Sequence, residues 1–275
     1  MTDCKKPQNL KSAQTRGAAY ALLSYGFQYP DRDLCEALFA PERWLSWPRA
    51  IREMDPAVGE AVHEVCNCLQ AVSVPSDGGT APSEFQDVYI RLFGHAVRGK
   101  CPLYELEYGR SEITQQASGL ADIAGFYTAF GMELDRNTDE RVDHIAIESE
   151  FMSVLCRKEA LALEENHEEH QEVTVKAQRT FLRDHLAAWF PALAYRVQEA
   201  DPDGFYGALA KFGSALVTLE CRRFDLTLGP RTMELRQVDP ESDTTINCGS
   251  LGDRTQGGGD ELVQLNVGSG PKMDG

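Results

Sequence analysis

The chain has 275 residues, enough for one large domain or two small ones with a real core to bury. Apolar residues make up 42% and charged residues 25%, and 43 acidic against 27 basic side chains give a net charge of −16. That balance argues against nucleic acid and against anionic membrane surfaces as partners, since both require clustered Lys and Arg. It suits a protein that avoids self-association, or one that receives a basic partner.

Eight cysteines in a chain of this length fall well short of a disulfide scaffold. Cys4 and Cys248 lie near the ends, while Cys35, Cys66, Cys156 and Cys221 sit in apolar helical contexts, as buried free thiols do in a reducing cytoplasm. Lys5, Lys6 and Lys11 precede the apolar run Ala18–Leu23, but that run is short, is broken by Tyr20, Ser24 and Gly26, and precedes no small-x-small cleavage site. No stretch approaches the roughly 20 apolar residues of a membrane span. The expected location is the cytoplasm, with no stable membrane binding.

Residues 13–28 place Ala18, Leu22, Leu23 and Phe27 at helical spacings, and Tyr29-Pro30 ends the run. Residues 31–53 read as helix, with Asp31 as N-cap and Pro41 and Pro48 as interruptions. Residues 56–73 carry the core stripe Val58, Val62, Val65, Cys66 and Leu69. A loop from Pro75 to Pro82 leads to Ser83, which can cap a helix through Val88, Tyr89 and Leu92. Residues 94–104 are irregular; helix resumes over 111–131, where Leu120, Ile123, Ala124, Tyr127 and Phe130 form a stripe that Gly131 stops. Asn137 with Glu140 has the form of a capping box opening a helix from about 139 to 165. Helices over 171–197 and 202–221 follow, separated by Asp201-Pro202-Asp203-Gly204. After Phe224 no aromatic residue occurs, and nine of the 23 glycines fall between Gly229 and Gly275. Such a segment has little to bury against its chain entropy. The expectation is an all-α protein: one globular helical domain over 1–228, and a poorly ordered, flexible Gly/Asp/Ser-rich tail over 229–275.

Catalytic equipment is scarce. Cys66-x-Cys68 lacks the spacing of a zinc knuckle, and His167-x-x-His170 lies in an acidic stretch that reads as a solvated turn. No phosphate-binding glycine loop and no Gly-x-Ser-x-Gly elbow occurs. Two segments are more specified than packing needs. In Cys101-Pro102-Leu103-Tyr104-Glu105-Leu106-Glu107-Tyr108-Gly109, Tyr104 and Tyr108 would share a face if a helix starts there, with Glu105 beside them. Aromatics with polar tips next to a carboxylate suit peptide recognition, and equally a helix start with two half-buried tyrosines. In Asp143-His144-Ile145-Ala146-Ile147-Glu148-Ser149-Glu150-Phe151-Met152, His144 and Glu148 are four apart and can pair, beside Asp143, with Phe151 adjoining. Such a set is a proton-transfer or metal site, or a buried polar network that fixes helix packing.

Together these segments resemble the TorD family of redox-enzyme maturation chaperones, with its DmsD and NarJ branches. Residues 143–152 are similar to the family's Asp-His-(apolar)-x-x-Glu-Leu-x-Phe-Met helix. Tyr104-Glu105 is similar to its Pro-Tyr-Glu-Ser segment, and Phe126-Tyr127-x-x-Phe130-Gly131 to its Phe-Tyr-x-x-Phe-Gly element. The order and spacing match over about residues 15–220. The fuller Cys101–Gly109 segment resembles the branch serving type II dimethyl-sulfoxide-reductase-like enzymes: chlorate and selenate reductases, dimethylsulfide and ethylbenzene dehydrogenases. Ser149 stands where Leu is usual, and Leu106 where Thr or Ser is common.

The resemblance implies a non-catalytic, all-helical cytoplasmic chaperone, a monomer or dimer with no cofactor or metal of its own. Its partner would be the apo catalytic subunit of a molybdenum oxidoreductase, held by its twin-arginine signal peptide until it receives molybdenum bis-molybdopterin guanine dinucleotide. Glu105, Asp143 and Glu148 could then meet guanidinium groups, with Tyr104, Tyr108 and Phe151 as apolar surface; Asp143, His144 and Glu148 contact the peptide or shape the groove from within, and Tyr104, Glu105 and Tyr108 form its wall. Two other readings remain: a helical metal-dependent hydrolase with Asp143, His144 and Glu148 as ligands, and an acidic-groove adaptor with another partner.

Overall fold

The computed structural model describes residues 6–31, 33–35, 47–71, 83–94, 99–109, 113–135, 140–236 and 263–265. In chain order the helices are α1 (Lys6–Gly26), α2 (Trp47–Arg52), α3 (Pro56–Ala71), α4 (Ser83–Phe93), α5 (Ile113–Ala129), α6 (Ile145–Glu165), α7 (Glu168–Phe181), α8 (Ala187–Ala200) and α9 (Phe205–Phe224). The expected all-α fold is present. The strand pairing among the described residues is one parallel ladder of β1 (Met132–Leu134) with β2 (Val263–Leu265). No helix among them is long and apolar enough to cross a membrane.

α6 is the central helix. From Ile145 to Ser153 buried positions occur all round it, as expected of a helix enclosed by others, while its second half turns Arg157, Leu161 and Glu165 to solvent. Its main neighbour is α1, with α7 on another side. Small residues set the α1–α6 approach: a Cβ added at Gly17 would lie 3.4 Å from Cys156 Cβ, and Ser153 Oγ donates to the Gly17 carbonyl at 2.8 Å. α9 packs between α8 and α3, and an aromatic layer closes that end. Phe27 meets Phe93 and Phe190 edge-on at 6.0 and 6.3 Å, and Tyr89 meets Phe93 at 4.8 Å, the geometry that aromatic quadrupoles favour.

A buried charge cluster ties four helices together. Arg16 on α1 reaches Glu159 on α6 at 2.6 Å, Gln178 on α7 at 2.8 Å and Glu220 on α9 at 3.3 Å. Arg223 adds contacts to Glu159 and Gln178, each at 3.1 Å. Two guanidinium groups thus face two carboxylates, which balances the charge taken out of water.

The predicted helix over 171–197 is interrupted by a π-helical turn, Leu182–Leu186. The cause is Pro191, which has no N–H for the Ala187 carbonyl and crowds it with its ring. The chain beyond α9 supplies the missing donor: Gly229 N–H bonds Ala187 O at 2.9 Å. Only glycine fits there, because a Cβ would fall 2.0 Å from the Ala188 carbonyl oxygen. The packed chain therefore runs on past residue 228. Residues 229–236 lie along α8 and reach the 101–109 segment, with the Arg196 guanidinium donating to Met233 O at 2.9 Å. Residues 237–262 and 266–275 lie outside the described residues.

Other expectations need adjustment. Over 31–53 the described structure holds Asp31, whose Oδ1 accepts the Leu34 N–H at 2.8 Å as the expected N-cap would, a helical turn at 33–35 and the short α2; residues 32 and 36–46, and the 75–82 loop, lie outside it. The helix predicted from about 139 begins at Ile145 instead, with His144 as N-cap. Glu140 precedes it and accepts a hydrogen bond from Tyr104, and Asn137 lies outside the described residues. His167 and His170 stack at 4.5 Å on an exposed turn, which Asn166 makes possible by taking the left-handed conformation.

Candidate functional site

Residues 101–109 do not open a helix, so Tyr104 and Tyr108 share no helical face. The segment instead lies against the start of α6: Ile145 N–H bonds Leu103 O at 2.9 Å, and Glu105 N–H bonds Asp143 O at 3.0 Å. These bonds make an antiparallel bridge, Tyr104 to His144, followed by a 3₁₀ turn over Glu105–Glu107. A second bridge joins Tyr108 to Leu235; Gly109 N–H bonds Glu234 O at 2.8 Å, and Arg236 N–H bonds Glu107 O at 2.9 Å. The two sequence segments singled out above are thus hydrogen-bonded neighbours, with the chain after α9 on the far side.

Asp143 is fully buried, and Arg141 holds it bidentately at 2.9 and 2.6 Å. Its Oδ2 also accepts the Leu106 N–H at 3.1 Å, so the carboxylate fixes the 3₁₀ turn as well. Arg141 continues to Glu107 at 3.3 Å, stacks over the Tyr104 ring at 4.7 Å, and keeps 37% of its side chain exposed. Arg236 meets the same Glu107 oxygen at 3.2 Å. His144 does not pair with Glu148. Its Nδ1 accepts the Ala146 N–H at 3.1 Å and caps α6, and its ring packs edge-on to Tyr104 at 5.1 Å. Burial lowers its pKa, so the ring is neutral.

Glu148 turns the other way, accepting the Trp189 indole N–H at 3.1 Å. Burial pushes its pKa well up, and the Glu105 charge adds to this, favouring the protonated form. Its other oxygen meets no hydrogen-bond partner. Glu105 approaches His185 Nδ1 at 3.1 Å, and His185 Nε2 lies 3.3 Å from Asp122. Burial opposes charging that imidazole, but Glu105, Asp122 and Asp184 outweigh it, and the pKa is raised.

Tyr108 is buried, its hydroxyl on Pro102 O at 2.8 Å and its ring 5.2 Å from that of Trp189. Phe151 is fully buried among Tyr127 and Phe181, at 4.9 and 4.7 Å, beneath His185 rather than at the surface. Asp143, His144, Glu148, Tyr108 and Phe151 therefore present no surface to a peptide in this conformation. What reaches the surface is a rim: Tyr104 and Arg141 in part, Glu105 with only 15% of its side chain exposed, Glu140 with 28%, and Asp122 with 65%.

Sequence reading missed Asp122, Arg141, Trp189 and Arg236 as members of the network, and left Glu107 and His185 without a role. Arg141 was within reach, standing two residues ahead of the motif that opens at Asp143. His185 and Trp189 were not, because the π turn sets their direction, and Arg236 fell in the stretch read as tail.

As metal ligands the proposed three fail on geometry: Asp143 is taken by Arg141, His144 by a backbone amide and Glu148 by Trp189. Among the described residues no three His, Cys, Asp or Glu side chains are arranged to hold a metal ion.

Residues 51–195 match the profile of the nitrate reductase delta subunit family. Over 207 residues the chain is 34% identical to the selenate reductase assembly chaperone protein of Thauera selenatis, covering 75% of this chain and 86% of that one. It is 25% identical over 194 residues to the chlorate reductase assembly chaperone protein of Ideonella dechloratans, covering 70% and 81%. It is also 32% identical over 157 residues to the chaperone protein TorD of Vibrio cholerae serotype O1 (strain M66-2), covering 56% and 68%. The chain belongs to the nitrate reductase delta subunit family of TorD- and NarJ-type maturation chaperones, whose relatives are named as chaperones and not as catalysts.

Proposed function

We propose that this chaperone binds the apo catalytic subunit of a molybdenum oxidoreductase in the cytoplasm through its twin-arginine leader. It holds that subunit back from export until molybdenum bis-molybdopterin guanine dinucleotide has been inserted; the chain itself needs no cofactor. The observation that carries this reading is the rim. Among the described residues, Glu105, Asp122 and Glu140 line an edge whose one exposed cation, Arg141, is drawn inward onto Asp143 and Glu107. A pair of guanidinium groups can bond carboxylates of this kind through charge-assisted forks, and the net charge of −16 speeds encounter with a basic segment. The buried residues work from behind: Asp143 fixes the turn that carries Glu105, and His144 fixes the helix start. Naming by reductase assembly in the relatives supports a reductase subunit as the partner.

The test is a native pull-down from cells expressing the protein, with mass spectrometry of the co-eluting chains. The reading expects one large molybdoenzyme subunit with its leader uncleaved. Recovery of that subunit equally well after its leader is deleted would contradict leader recognition.

A further inference from the structure

Most arginines inside this acidic protein are matched by carboxylates: Arg16 and Arg223 by Glu159 and Glu220, Arg141 and Arg236 by Glu107 and Asp143. Elsewhere three cations, two of them exposed, gather at one cleft instead. A cleft of about 420 Å³ opens between the start of the 101–109 segment, the end of α8 and the strand-like chain after α9. Lys100, Arg196 and Arg231 all line it, against a single acid, Glu199. Among the described residues none of the three cations has a carboxylate partner. Arg196 is half-buried and gives one N–H to the Met233 carbonyl, and Arg231 lies over the Tyr195 ring at 5.0 Å. Lys100 and Arg196 also act on the buried thiol of Cys101: burial pushes it up to about 11, and both cations pull it the other way.

We infer that this cleft is a binding site for a small phosphorylated molecule, distinct from the acidic rim. Three positive groups exceed what one carboxylate needs and match the two or more charges of a diphosphate. Guanidinium groups fork onto phosphate oxygens, and the ammonium serves as an adjustable third donor. The volume is too large for a lone phosphate ion and admits the body of a phosphate ester beside Tyr195. The inference does not rest on leader recognition, because a cleft of this sign repels an arginine-rich peptide. It also needs local charge to overcome a molecule of net charge −16, so the binding is sensitive to salt.

The experiment is calorimetric titration of the full chain with inorganic pyrophosphate, a nucleoside triphosphate and citrate. Pyrophosphate and the triphosphate should each bind with a stoichiometry of one, and citrate much more weakly. Lys100→Ala and Arg231→Ala, at exposed positions, should each weaken binding roughly tenfold without lowering the melting temperature. Arg157→Ala, on an exposed face of α6, should change nothing. Absence of saturable binding to any phosphate compound would overturn the inference. So would binding that Lys100→Ala and Arg231→Ala leave intact, or citrate binding as tightly as pyrophosphate.

Discussion

Two buried charge networks sit within this fold, and they are built differently. The Arg16–Glu159–Gln178–Glu220–Arg223 cluster joins four helices, matches two cations to two carboxylates, and is sealed apart from the partly exposed Arg223. The network around Asp143 joins loops, a 3₁₀ turn and helix starts. Among the described residues its carboxyl groups outnumber its cations: Glu105, Glu107, Asp122, Glu140, Asp143 and Glu148 face Arg141, Arg236 and His185. A balanced, closed cluster serves packing. An acid-rich cluster with an open rim favours the protonated form of one carboxyl, and on the proposed reading its outer acids receive a cation from a partner; that difference would separate scaffold from site.

The sharpest way to break the comparison is at Arg16. Arg16→Ala leaves two buried glutamates to share the partly exposed Arg223 and should cost roughly 4 kcal/mol, read as a fall in denaturation midpoint, while folded protein still binds leader peptide with unchanged affinity. Arg141→Gln leaves the buried Asp143 with the Leu106 N–H in place of a partly exposed guanidinium, and should cost roughly 2 kcal/mol. Here leader affinity should also change, because the turn that carries Glu105 loses its tie. If both variants lose stability and neither alters affinity, the two networks are alike and the distinction fails.

Protonation gives finer tests. Because burial favours the protonated form of Glu148, Glu148→Gln should shift stability by less than about 0.5 kcal/mol at neutral pH, whereas Glu148→Ala strands the Trp189 N–H and leaves a cavity, costing about 2–3 kcal/mol. A large loss in the Gln variant would show that the carboxylate is charged. The two histidines should act in opposite directions. His185 has a raised pKa, so its stabilisation is complete below the ordinary imidazole value and is lost as pH rises through the raised one. His144 has a lowered pKa, so the unfolded chain takes up a proton that the native one refuses, and stability is lost as pH falls below the ordinary value. In melting curves taken across neutral pH, His185→Gln should flatten the decline on the alkaline side. His144→Asn, which can still cap α6, should flatten the decline on the acid side.

How far the sequence reaches is visible in the same residues. The helices over 13–28, 56–73 and 111–131 follow from apolar spacing with small shifts at their ends, because one buried stripe determines each. The start of α6 did not follow. Asn137 and Glu140 have the form of a capping box, yet the chain gives that role to His144, since Glu140 is engaged by Tyr104 from a distant loop. The motif pair 101–109 and 143–152 was legible as chemistry but not as geometry: nothing local says that Glu148 bonds Trp189 instead of His144. Aromatic content marked the end of the core at Phe224, but a glycine needed at one carbonyl and an arginine bound to Glu107 carry the packing on to residue 236.

The most direct test of the central claim uses the two most exposed acids of the rim. A twin-arginine leader peptide is titrated into the native protein and into the Asp122→Asn/Glu140→Gln double variant, with melting temperatures measured alongside. The account predicts affinity reduced roughly tenfold at nearly unchanged melting temperature, and little discrimination between the two proteins by a leader whose arginines are replaced by glutamine. Equal affinity of the arginine leader for both proteins would contradict it.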